Sequence, residues 1–156
     1  MTQSIEEKRM KVAIGCDPNA TDLKEIIIEQ LEKMGYLVKD FSSEDPVYAK
    51  TANVVGEAVA ANEFDRGILI CGTGIGMCIA ANKVPGVYAA LCADTYSAER
   101  AIKSNNTNVL AIGAFTTGTE IAKQIVKIWM ESKWEAGTAS EPKVAYFVEY
   151  AKKHQI

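Results

Sequence analysis

Three glycines alternate at Gly72, Gly74 and Gly76, directly after the apolar run Gly67–Cys71. Glycine lets the backbone turn sharply and approach a ligand closely. The start of a following helix presents unpaired N–H groups and the positive end of a dipole. The segment Gly72-Thr73-Gly74-Ile75-Gly76 is therefore suited to cradle an anion, whether a phosphate or an enediolate oxygen. Cys71 closes the run immediately before the turn, where such a dipole favours a thiolate. A thiolate base beside fixed N–H donors could remove a proton next to a carbonyl and hold the charge that develops. The competing readings are a buried strand-end thiol and glycines that only punctuate the chain. Two phosphate-binding templates do not fit. The dinucleotide fingerprint needs its third glycine one position later, and the P-loop needs a lysine that is not here.

Other candidates are sparse. Asp17 follows Cys16 at the end of an apolar run, and its carboxylate is the better working group of the two; Cys78 falls inside a helix and reads as core. No C-x-x-C pair occurs and His154 is the sole histidine, so metal ligation has almost nothing to work with. Arg100 and Lys103 could reach an anion or simply form a solvated helix face. Trp129 and Trp134 read as core or subunit-interface residues, and His154 as solvated.

The frame that must position these groups alternates short apolar runs with helical stretches. Strands are predicted at Lys11–Gly15, Leu37–Phe41, Gly67–Cys71, Val87–Cys92 and Val109–Ile112. Helices are predicted at Thr21–Met34, from Pro46 to about Asn62, and at Met77–Lys83, Ser97–Lys103, Thr119–Lys133 and Lys143–Lys153. Strands apolar on both faces, joined by helices, imply an α/β fold. The expectation is a three-layer α/β/α sandwich around a five-stranded parallel, doubly wound (Rossmann-like) sheet. Such sheets bind ligands beyond the carboxyl ends of their strands. Those ends are Cys16–Asn19, Cys71–Gly76, Cys92–Thr95 and Gly113–Thr116.

With 156 residues, one domain is expected at 10–156, ending in a helical tail, after a disordered leader at 1–9. Seventeen basic against twenty acidic residues give a net charge of −3, without the positive field nucleic-acid binding needs. No apolar run is long enough for a membrane span. The leader lacks the apolar stretch of a signal peptide, so a cytoplasmic protein with reduced thiols is expected.

Asp17, the turn ICGTGIGM, Ala80–Gly86 (AANKVPG) and Asp94–Asn106 together resemble the type B ribose-5-phosphate isomerase and galactose-6-phosphate isomerase family, from about Met10 to Lys143. The resemblance implies aldose–ketose interconversion of a small phosphorylated sugar through a cis-enediolate, without metal or cofactor. It implies that Cys71 shuttles the proton between C1 and C2. Gly72, Thr73, Gly74, Ile75 and Gly76 would hold the enediolate, Asp17 would orient sugar hydroxyls, and Asn105 would help bind the reacting oxygens. It further implies a homodimer or tetramer with its site at a subunit interface. Tyr48, after Pro46, matches a family tyrosine near the site.

Several positions depart from the family pattern. Asp17 is followed by Pro18 rather than histidine, and Ser104 stands where the family's ring-opening histidine falls. Phe115 replaces an arginine after the fifth strand. A Gly-Gly-Arg segment reads Ala136-Gly137-Thr138, which leaves Lys143 as the basic residue near the second phosphate-binding position. Serine cannot relay a proton near neutral pH as imidazole does. The first expectation is an isomerase of the ribose 5-phosphate/ribulose 5-phosphate type. One alternative is a tetrose-phosphate isomerase acting on erythrulose 4-phosphate, whose substrate cannot close a ring. Another is a non-catalytic partner subunit or sugar-phosphate-binding module.

Overall fold

The computed structural model describes residues 9–156; nearly all of the expected leader at 1–9 lies outside them. Five strands, β1 (Lys11–Cys16), β2 (Leu37–Asp40), β3 (Arg66–Cys71), β4 (Ala89–Leu91) and β5 (Val109–Gly113), form one sheet in the order β2-β1-β3-β5-β4. Every pairing is parallel. Six helices connect and flank them: α1 (Thr21–Lys33), α2 (Tyr48–Ala60), α3 (Ile75–Ala81), α4 (Thr95–Lys103), α5 (Thr119–Glu131) and α6 (Glu141–His154). The expected α/β sandwich is the architecture found.

The three layers follow from side-chain alternation along the strands. Val12, Ile14, Ile68, Ile70, Leu110 and Ile112 face one way, packing with Leu23 and Ile27 of α1, Ile102 of α4 and Trp129 of α5. Ala13, Leu69, Cys71 and Val109 face the other way, against Val55 and Val59 of α2 and Met77 of α3. Trp129 is fully buried, and its indole N–H donates to Thr107 Oγ1 at 3.1 Å. Arg66, at the start of β3, donates to the main-chain oxygens of Trp129, Met130 and Ser132 and so closes the carboxyl end of α5. Its guanidinium also lies 5.0 Å from the Trp129 ring centroid. Among the described residues, no helix is long and apolar enough to cross a membrane.

Element boundaries shift where capping overrides apolar pattern. The helix expected from Met77 begins at Ile75, so Ile75 and Gly76 belong to its first turn rather than to the loop. Strand β4 is only three residues, shorter than the expected Val87–Cys92. A single 3-10 turn, Pro18–Ala20, follows β1 where no element was expected. The chain winds from β1 outward to β2, then returns to place β3 on the other side of β1. This reversal leaves a crevice at the carboxyl ends of β1 and β3. Asp17 and Cys71 stand at its two lips.

Candidate active site

Cys71 ends β3 and is 5% exposed. Its neighbours across the sheet are fixed by main-chain bonds. Asp17 N–H donates to Ile70 O at 2.9 Å, which holds Asp17 beside the cysteine. On the other side Cys71 pairs with Gly113, and Ala114 N–H donates to Cys71 O at 2.8 Å. Asp17 also caps the 3-10 turn, its Oδ1 accepting from Asn19 N–H at 2.8 Å.

The glycine turn closes back onto the sulfur. Gly74 N–H donates to Cys71 Sγ at 3.1 Å, the contact a thiolate would accept. This closure requires Gly74 to adopt φ +79°, and a Cβ there would lie 2.6 Å from Leu91 Cδ1 and 2.9 Å from the Ile112 carbonyl carbon. Thr73 is exposed at the tip, and its Oγ1 accepts from Ile75 N–H at 3.3 Å. Gly76 admits Tyr48, whose ring carbon Cε2 would be 2.6 Å from any Cβ at that position and whose hydroxyl is closer still. Tyr48 therefore packs on the first turn of α3.

Phe115 was noted in the sequence only as a missing arginine. The structure lays its ring against Gly72, and Phe115 N–H donates to Gly72 O at 2.9 Å. The ring is 74% exposed. Ile75 at the start of α3, Leu91 at the end of β4 and Tyr96 at the start of α4 are likewise exposed, so apolar side chains rim the carboxyl end of the sheet. Apolarity and period alone gave no signal for this rim.

The other thiols are different in kind. Burial, with Asp94 nearby, pushes the Cys92 thiol up to about 12. Burial also raises that of Cys78, which is half-buried rather than in the core as expected. Cys16 is buried, with Ser42 Oγ donating to its sulfur at 3.5 Å.

Ser104, Asn105 and Lys143 do not join Cys71. Helix α4 returns to the amino end of the sheet, so its last residues face away from the glycine turn. Asn108 O accepts from Gly67 N–H at 2.9 Å, and the four-residue rise from Gly67 to Cys71 spans roughly 13 Å. Asn105 lies on the Asn108 side of that interval, its Nδ2 donating to Arg100 O at 3.0 Å. Lys143 is exposed in the first turn of α6, a helix that packs Phe147 against Tyr88 just before β4. One chain thus carries its candidate site residues in two groups, at opposite ends of its sheet.

A family model described as Ribose/Galactose Isomerase matches residues 12–147. A D-erythrulose-4-phosphate isomerase from Pectobacterium atrosepticum is 47% identical over 152 residues, covering 94% of this chain and 99% of that one. A Ribose-5-P isomerase B from Listeria innocua is 42% identical over 149 residues, covering 94% and 100%. The solved structure of Clostridium thermocellum Ribose-5-Phosphate Isomerase B superposes with a TM-score of 0.86 at 39% identity, covering 93% of this chain and 99% of that one. The chain belongs to the ribose/galactose isomerase family. By class it is an aldose–ketose sugar-phosphate isomerase.

Proposed function

We propose that the chain interconverts a tetrose pair, D-erythrulose 4-phosphate and its aldose, through a cis-enediolate with Cys71 as base and no cofactor. The observation that carries the substrate choice is Ser104. An enzyme for ring-forming pentose phosphates needs a proton relay to open the ring. Here the position matching the family histidine is a serine. The chain's sole histidine, His154, is exposed at the end of α6, stacked on Tyr150 at 4.1 Å between centroids. A tetrose phosphorylated on O4 has no hydroxyl free to close a five- or six-membered ring, so it needs no relay. The Pectobacterium relative, 47% identical and named for erythrulose 4-phosphate, supports the same choice over the ribose 5-phosphate expectation.

The steps follow from the site's chemistry. Cys71 thiolate takes a proton from C1 of the ketose, and the electron pair of the broken C–H bond forms the C1–C2 double bond. Negative charge moves onto the C2 oxygen, where the N–H groups of the glycine turn and the Thr73 hydroxyl stabilise it. The hydroxyl proton passes from O1 to O2. Cys71 then returns its proton to C2, which leaves a carbonyl at C1 and regenerates the thiolate. Asp17, across the crevice from Cys71, orients the sugar hydroxyls.

A second copy of the chain completes this site. Ser104, Asn105 and Lys143 cannot reach their own Cys71, and the apolar rim at the carboxyl end of the sheet offers a face for a partner to cover. A two-fold homodimer places the amino end of one sheet over the carboxyl end of the other, twice. Asn105 of the second copy then binds the reacting oxygens. The substrate assignment is tested by assaying the purified protein on erythrulose 4-phosphate, ribose 5-phosphate and galactose 6-phosphate. The tetrose should be preferred in kcat/KM by at least about a hundredfold. Faster turnover of ribose 5-phosphate would overturn it.

A further inference from the structure

The three glycines of the turn are glycines for different reasons. Gly74 has a positive φ, but Gly72 and Gly76 do not, so a left-handed backbone is not what demands glycine at those two positions. What excludes a side chain there is an aromatic ring. Tyr48 fills the space beside Gly76, and Phe115 fills that beside Gly72. Phe115 Cδ2 is 2.9 Å and Cε2 3.1 Å from where a Cβ on Gly72 would stand.

The Phe115 ring is carried by an anchored backbone. Beyond β5 the chain stays beside the end of β3, with Ala114 N–H donating to Cys71 O at 2.8 Å and Phe115 N–H to Gly72 O at 2.9 Å. Thr117 N–H closes the turn behind it on Gly113 O at 3.0 Å, and Thr116 Oγ1 donates to the same oxygen at 3.3 Å. Asp17 is fixed on the opposite, β1 side of β3 by its bond to Ile70 O. The end of β3 therefore lies between a carboxylate on one neighbouring strand and an apolar ring beyond the other. Most of that ring is uncovered by its own chain.

Substrate chemistry gives this wall a task. The serine at 104 discriminates against ribose 5-phosphate, an aldose that cyclises through O4 and needs a relay to open. It does nothing against D-ribulose 5-phosphate. With its carbonyl at C2 and O5 phosphorylated, that ketose has no free hydroxyl able to close a five- or six-membered ring. It stays open, as erythrulose 4-phosphate does, and its C1–C2 chemistry is the same. The two ketoses differ by one CHOH unit, so an enzyme for the shorter one must measure length. A hydroxyl pushed against the Phe115 ring would lose its water and gain no hydrogen-bond partner.

We infer that Phe115 is the specificity-determining residue that limits the sugar to four carbons, its ring walling the site on the β5 side against the longer ketose. This inference rests on the proposed tetrose-phosphate isomerase reading and adds the residue that separates its substrate from an open-chain pentulose phosphate.

The test compares kcat/KM on erythrulose 4-phosphate and ribulose 5-phosphate for wild type, Phe115→Leu and Phe115→Ala, with size-exclusion chromatography of each. Both ketoses are open-chain, so ring opening does not enter, and the ring's exposure lets both variants keep the fold. Wild type should favour the tetrulose by about fiftyfold, the order that one extra carbon is worth in a fitted pocket. Phe115→Ala should cut this ratio by about tenfold, chiefly through faster turnover of ribulose 5-phosphate, and Phe115→Leu should fall between. A ratio unchanged in both variants would overturn the assignment. So would equal losses on both ketoses, which would make the ring a subunit contact only. A wild type that preferred ribulose 5-phosphate would defeat the tetrose reading and the four-carbon limit together. A wild type inactive on both would defeat the isomerase reading. Calorimetric titration of the three proteins with 4-phosphoerythronate and 5-phosphoribonate would then decide the wall, and an affinity ratio unchanged in the variants would overturn it.

Discussion

Gly74 donates its amide to Cys71 Sγ at 3.1 Å, and it does so from a left-handed backbone conformation, φ +79°. The Cys71 sulfur, the proposed base, is therefore tied by this hydrogen bond to the turn proposed to hold the enediolate.

Replacing Cys71 by alanine should reduce kcat by about a thousandfold, within the range lost with a general base. The side chain is small and at the end of a strand, so circular dichroism and the thermal midpoint should change little. A variant that kept a tenth of wild-type activity would remove the sulfur from the mechanism.

Gly74→Ala should cost more than conformation alone. A left-handed alanine costs about 1 kcal/mol, and here its Cβ also meets the Ile112 carbonyl carbon at 2.9 Å. Urea unfolding should show a loss of roughly 2–4 kcal/mol together with loss of activity. Gly35→Ala is the control, since Gly35 has φ +93° but nothing within 4 Å of its Cβ position. It should lose only about 1 kcal/mol and retain activity. Equal losses at both positions would contradict the packing argument.

Lys24 is buried and pairs with Asp40 at 2.7 Å. Burial opposes charge on both groups, but their mutual hydrogen bond, with Glu25 on Lys24 and Ser42 on Asp40, outweighs it. Asp40 is held below its usual value and Lys24 above. The stabilisation from Asp40 is complete above the unfolded carboxyl value, about 3.9, and is lost as pH falls through the lower folded value. That from Lys24 is complete below about 10.4 and is lost as pH rises through the higher folded value. Asp40→Asn should therefore lower stability by on the order of 2 kcal/mol, by a constant amount between these limits. The gap from wild type should narrow in acid below the carboxylate range. A gap that widened there would reverse the sign of the argument.

The Cys92 thiol, pushed to about 12, is neutral at any physiological pH. Iodoacetamide at pH 8 should leave it unmodified in the folded protein and react first at Cys71, with activity falling in step. Peptide mass spectrometry locates the label, and erythrulose 4-phosphate should slow it. Labelling of Cys92 before Cys71 would contradict this order.

Much of this was readable from residue order. Continuous apolar runs made β1, β3 and β5 plain, and Gly35 marked the end of α1 as expected. The glycine turn and Cys71 stood out because their types are rare in combination. The strand order was not readable, since any parallel arrangement buries the same apolar runs; only the structure places Asp17 beside Cys71 across the β1–β3 reversal. Nor could sequence reveal that Ser104, Asn105 and Lys143 lie far from Cys71. A helix that returns to the amino end of a sheet looks the same, residue by residue, as one that ends at the site.

In the proposed homodimer each site joins Cys71 of one chain to Asn105 of the other. Two inactive proteins, Cys71→Ala and Asn105→Ala, can be unfolded together and refolded as a mixture. Half of the dimers are then hybrids, and each hybrid contains one site with both residues intact. Activity on erythrulose 4-phosphate should recover to about a quarter of wild type, as two-fold symmetry dictates. If the mixture remains as inactive as its components while size-exclusion chromatography shows hybrid dimers, the two residues do not share a site across the interface.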